Sequence, residues 1–239
     1  MPDLWSPVDV GRLRLRHRLA LSPMMCNRGR PDGSPTALDV EYFAQRASLG
    51  LLITGDTQPS ADGQGFLLSH GCYIDEHAAG RRRVNRTVHD AGGHLFVQLV
   101  HAGRVAHPAN TPHGNRAVPT TELSTTEIRA TVDDFRALPA AAVGAGADDV
   151  ENHAANGFLP PQFLSANANH RSDAYAGRSP TARGSLSRSS RRPPGRSART
   201  ARRCGFPRAR AGSASTKVCR GPRRTAPSCA YSPASRSCT

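Results

Sequence analysis

The stretch "VENHAANGF" (150–158) sets His153 and Asn156 three residues apart, after a short apolar run and just before a glycine. An imidazole and a carboxamide can each donate and accept hydrogen bonds. Placed together at the end of a strand, they form a polar pair suited to handling a ligand atom. Gln98 and His101 close another apolar run, and Pro23, Met24 and Thr54 to Thr57 close two more. Other chemistries find less support. "GDTQPSADGQG" (55–65) has the glycines of a phosphate loop but lacks the GK[ST] ending, and reads as a surface loop. His101 and His107 have no carboxylates at metal-ligand spacing and read as loop residues. Cys204, Cys219, Cys229 and Cys238 form no CxxC pair, and no histidine follows His170, which argues against zinc.

The elements that must position these residues follow from periodicity and caps. Strands are expected over 18–24, 51–54, 94–101 and 148–153. Helices are expected over 36–50, 75–93 and 124–147. Thr36 and the Ser124 segment supply caps, Gly50 and Gly93 supply stops, and acids sit in the first turns. Pro139 is expected to kink or interrupt the last helix. Strand and helix in strict alternation argue for parallel βαβ units. In such folds functional groups gather at the carboxyl ends of strands, where all of the polar residues above fall.

Composition divides the chain in two. The first 177 residues carry sixteen Lys or Arg and all eighteen acids, whereas 178–239 carry sixteen basic residues and no acid. The net charge of +14 therefore belongs to the tail. The N-terminal "MPDLWSPVDVGRLRLRHRL" is too charged for a secretory segment, and no apolar run approaches the ~20 residues that span a bilayer. A cytoplasmic protein with reduced thiols and no membrane partner is expected.

"SPMMCNRGRPDGSPT", "EYFAQRASLGLLITGDTQPSADGQGF", "AGGHLFVQLVHAGRVAHP" and "HAANGFLPPQFLSANANHRSDAYAG" occur in this order. Together they resemble the old yellow enzyme family of flavin-dependent alkene reductases, from about residue 4 to 177. The resemblance implies an α/β fold, a TIM (β/α)8 barrel carrying FMN, of which this stretch would be about the first four βα units. It also implies that NAD(P)H reduces the flavin, which passes hydride to the β-carbon of an α,β-unsaturated carbonyl compound, an enone. By position, Pro23, Met24 and Met25 match the segment lining the flavin, and Asp56 stands against it. Gln98 matches the glutamine at the flavin pyrimidine edge, whose amide offers donor and acceptor together. His153 and Asn156 match the catalytic pair that holds the substrate's carbonyl oxygen and would stabilise the enolate charge.

Three residues depart from the family pattern. Phe158 replaces a proton-donating tyrosine, so solvent or another group must protonate the α-carbon. Gly55 and Asp56 replace a glutamate and a small residue, setting a carboxylate beside the flavin. Asn152 replaces an apolar strand residue and needs partners if buried.

The resemblance stops near Gly177, where an Arg/Ser/Pro-rich tail begins that lacks the apolar surface to order itself. Its composition is what a GC-rich gene yields when read out of frame, and a one-nucleotide shift permits "LADRARF" where the family expects "SLENRARF". The expected organisation is thus 1–177 as a partial, truncated barrel and 178–239 as a disordered, out-of-frame tail. Such a chain would expose strand edges at 51–54 or 148–153 and bind FMN weakly. The rival readings are a nucleic-acid-binding protein that uses the basic tail, and an inactive fragment.

Overall fold

The computed structural model describes residues 1–111, 114 and 117–177; the tail readings fall on residues outside these. The chain opens with an antiparallel hairpin, β1 (Val8–Val10) and β2 (Leu13–Leu15), turning through Gly11 at φ 59°. A parallel sheet follows, built from β3 (Ala20–Leu21), β4 (Leu51–Ile53), β5 (Thr57–Gln58), β6 (His70–Gly71), β7 (Leu95–Leu99) and β8 (Asp149–Asn152). The helices are α1 (Ala37–Ala44), α2 (Asp75–Asp90), α3 (Thr125–Gly144) and α4 (Leu159–Leu164).

Its architecture is the expected partial barrel. Strands β3, β4, β7 and β8 run side by side, and β5 joins at the upper end of β7 through Thr57 opposite Leu99. Leu95, Val97 and Leu99 are each fully buried against Phe43, Val84, Val88, Phe135, Leu138 and Ala142 of the helices. Alternation then sends Phe96 and Gln98 to the opposite, inner face. Register pairs Gln98 with Glu151 and Leu99 with Asn152, so Glu151 also faces inward and Asn152 outward.

Several boundaries differ from expectation. α1 stops at Ala44 rather than at Gly50, because the next turns tighten to three-residue bonds (Ala47 N–H to Ala44 O, 3.2 Å) and Arg46 captures the Tyr42 carbonyl at 2.7 Å. Gly50 instead permits a close backbone approach, since a Cβ there would lie 2.3 Å from the His17 carbonyl oxygen. α3 runs unbroken through Pro139, which corrects the expected interruption. Its alanines favour helix, and buried Phe135, Leu138 and Ala142 hold both halves to the core. At its start the Ser/Thr cap expected from sequence is a full capping box, Ser124 Oγ accepting from Glu127 N–H while Glu127 accepts from Ser124 N–H at 2.6 Å. The 51–54 strand is no edge, since β4 lies between β3 and β7; among the described residues β8 has only β7 as a neighbour. Among them, too, no helix is long and apolar enough to cross a membrane.

Candidate active site

At the upper end of β8 the ladder continues one residue past the strand, His153 N–H donating to Leu99 O at 2.9 Å. The chain then turns sharply. Asn156 and Gly157 both adopt left-handed backbone, with φ of 55° and 74°. Asparagine is among the few side chains that tolerate this conformation. The turn brings Asn156 back over the strand, its Nδ2 standing 3.2 Å from His153 Nε2.

The bonding of the imidazole decides what this pair does. His153 Nδ1 accepts the Ala155 N–H at 3.2 Å. A neutral ring that accepts at Nδ1 carries its proton on Nε2. Nε2–H and the Asn156 amide N–H are then neighbouring donors, and neither satisfies the other. Burial holds the His153 pKa below its usual value, with the Glu151 carboxylate pulling the other way, so the neutral ring is the stable form near neutrality. The buried ring of Phe158 meets His153 edge-on at 4.7 Å and offers no hydroxyl.

One strand over, Gln98 is 5 % exposed. Its backbone N–H donates to Thr54 Oγ1 at 3.2 Å, and its side-chain Nε2 donates to Glu151 Oε1 at 2.6 Å. Glu151 precedes His153 by two residues and therefore shares its face. Glu151 is the site residue that sequence reasoning misses. Its signal is strand alternation back from His153, and it becomes decisive only once the β7–β8 register is known.

Pro23, Met24, Met25 and Asp56 gather at the ends of β3 and β4. A Cβ on Gly55 would lie 2.2 Å from the Met24 carbonyl oxygen, so the two strand ends touch backbone to backbone. This close approach explains why glycine stands there. Met24, Met25, Thr54, Gly55 and Asp56 line one cavity, and Met24 is 51 % exposed, a large apolar side chain facing out of the mouth. Burial pushes the Asp56 carboxyl up to about 6. No hydrogen bond joins this group to His153 and Asn156 among the described residues; Thr54 links the two sides by accepting from Gln98. Cys26, beside Met25, is a free thiol whose pKa burial raises. His101 proves to be buried rather than a plain loop residue, its Nδ1 accepting from Gly103 N–H at 3.1 Å and its Nε2 3.8 Å from Asp62. Asn152 Oδ1 is buried without a hydrogen-bond partner among the described residues.

Comparison with known proteins agrees with this arrangement. Residues 3–183 match the model of the NADH:flavin oxidoreductase / NADH oxidase family. A chanoclavine-I aldehyde reductase of Penicillium roqueforti is 37 % identical over 193 residues, covering 74 % of this chain and 52 % of that protein. A probable flavin mononucleotide-dependent alkene reductase of Leishmania infantum is 33 % identical, covering 72 % and 54 %. The solved structure of morphinone reductase in complex with tetrahydroNAD superposes with a TM-score of 0.74 at 32 % identity, covering 79 % of this chain and 59 % of that one. The chain spans about half the length of the curated relatives it matches. With a family match over most of its residues and a similar fold in a solved relative, the chain belongs to the NADH:flavin oxidoreductase / NADH oxidase family, in accord with its old yellow enzyme resemblance.

Proposed function

We propose that this chain carries the cofactor-edge and substrate-binding half of an FMN-dependent NAD(P)H oxidoreductase that reduces the C=C bond of α,β-unsaturated carbonyl compounds. The observation that carries the reading is the closeness of His153 Nε2 and Asn156 Nδ2, 3.2 Å apart, two nitrogens that can each offer an N–H to one ligand atom. Such a pair suits one oxygen on which negative charge develops. Small phenols and a nicotinamide carboxamide present an oxygen of the same kind.

The residues present fit the edge of a flavin ring. Exposed Met24, with Pro23 and Met25, gives an apolar rest, and Gln98 gives a donor and an acceptor side by side. When bound, FMN would supply the hydride chemistry, taking hydride from NAD(P)H and delivering it to the substrate's β-carbon. The chain's own residues bind and orient. Nε2–H of His153 and Nδ2–H of Asn156 hold the carbonyl oxygen and stabilise it as it gains charge. The Ala155 N–H keeps the imidazole in the donating tautomer. Phe158 fixes the ring's tilt and excludes water from one side, and water supplies the proton to the α-carbon. We expect the affinity of this chain for FMN to be low, because the described residues furnish contacts to the ring edge.

The test is anaerobic oxidation of NADPH and of NADH by the purified chain with excess FMN and cyclohex-2-enone. Enone-dependent oxidation is expected, and His153→Ala with Asn156→Ala lowers it about 10²- to 10³-fold. Turnover that the double variant leaves unchanged would sink the assignment.

A further inference from the structure

Glu151 has no part in the function proposed above, yet it makes one of the shortest side-chain contacts in the site. It is the register partner of Gln98, and Gln98 Nε2 donates to its Oε1 at 2.6 Å. An ionised carboxylate only accepts. The nitrogen end of the Gln98 amide must therefore face Glu151, and its oxygen must face away. Without such a partner the amide has two orientations of similar shape that exchange donor for acceptor. A ligand edge needing both in a set order would meet the wrong one in part of the population.

We propose that Glu151 is a positioning residue whose carboxylate locks the orientation of the Gln98 amide, so that Gln98 presents Oε1 and its second N–H to the mouth of the sheet in fixed order. Three observations bear on this. Gln98 is nearly fully buried, so water does not compete for its amide. Its backbone is pinned separately, by Thr54 Oγ1 and by pairing with β8, which leaves side-chain orientation as the remaining freedom. Glu151 and His153 face the same way along β8, and the Glu151 charge reaches the imidazole, raising its proton affinity against the effect of burial. One carboxylate thus touches the cofactor-edge side of the site and influences the substrate side. The purpose of the lock rests on the flavin reading; its existence does not.

The test reads the Gln98 side-chain amide by ¹H–¹⁵N NMR on the full chain, the resonance pair being identified by its loss in Gln98→Leu. In the wild type, one amide proton is expected downfield and protected from solvent exchange. Glu151→Ala returns both protons to free-amide positions. The isosteric Glu151→Gln can donate as well as accept, so it releases the orientation while keeping the packing, and it carries the test if the alanine variant does not fold. A wild-type amide that is already free, or one indifferent to both substitutions, overturns the lock. Titration with FMN adds a second readout. Affinity is expected to fall about tenfold in Glu151→Ala and by a smaller, about twofold, factor in Glu151→Gln, which bonds either orientation of the amide. Unchanged affinity in Glu151→Ala overturns the positioning role. A chain that shows the locked amide but takes up no FMN counts against the flavin reading and leaves the lock standing.

Discussion

Two groups of polar residues in this fold treat their hydrogen bonds differently. Around α1 and α2, polar side chains bond to other groups of the protein. Arg81, buried, donates to Thr57 Oγ1 at 2.6 Å and to Gly71 O; Asp39 Oδ2 accepts from Thr36 N–H at 2.7 Å; His77 is bonded to the Asp32 carbonyl at 2.6 Å. At the strand mouths pairing is incomplete. Among the described residues the Gln98 side chain bonds only through Nε2, His153 Nδ1 is tied to a backbone N–H while its Nε2 lies beside Asn156, and Asp56 has no cationic partner. Polar groups whose bonds stay within the protein hold elements together. Polar groups with one bond left over, all aimed at one region, mark a place for something else.

Substitutions can break or sharpen that contrast. The largest effect is expected on the covered side, where Leu52→Ala removes a fully buried side chain and should cost about 2–5 kcal/mol in chemical denaturation. Thr57→Val comes next. It leaves the Arg81 guanidinium short of an acceptor at full burial and should cost about 1–3 kcal/mol. A neutral result there would show that the covered network is open at this point.

At the mouth the sign changes. The Asp56 carboxyl, raised to about 6, binds its proton more tightly in the folded chain than in the unfolded one, where the ordinary value is 3.8. Its ionisation therefore costs stability above pH 6, and the cost vanishes as pH falls through 6 toward 3.8. Asp56→Asn should stabilise the chain by about 1–2 kcal/mol at about pH 8, allowing for solvent screening, and by nothing near about pH 3.5. Denaturation midpoints of the two chains across that range decide it. Smallest of all, His153→Ala with Asn156→Ala should change stability by no more than about 0.5 kcal/mol, since the pair is half-buried to exposed. The same double variant should lose binding of a small phenol, followed in the presence of FMN by absorbance. A large loss of stability would move the pair from the incomplete side of the comparison to the complete one.

The order of elements was legible because it rests on local signals. The Ser124 cap, the acids opening α2 and the apolar run of β7 each act within a few residues. The hairpin of β1 and β2 is not legible, because its alternating Arg and Leu look like a charged terminus until the turn at Gly11 pairs them. β5 and β6 are two residues each and carry no periodicity. α4 hides behind Pro160 and Pro161, which break helices in the middle but suit a first turn. In the site, His153, Asn156 and Gln98 were legible as polar residues at strand ends. Glu151 was not, because its importance lies in facing Gln98 across two strands 53 residues apart in sequence. Register is a property of the folded sheet and leaves little trace in one strand's residues.

The bond from Ala155 N–H to His153 Nδ1 also makes the turn above β8 sensitive to acid. A proton arriving at Nδ1 would set two donors face to face and release the backbone from the ring. Because burial depresses the imidazole's proton affinity, the fastening is complete above the ordinary histidine range and slips only as pH falls through the lowered value of the folded chain. Asn156 is carried by the same turn, so loss of this one fastening bears on both donors.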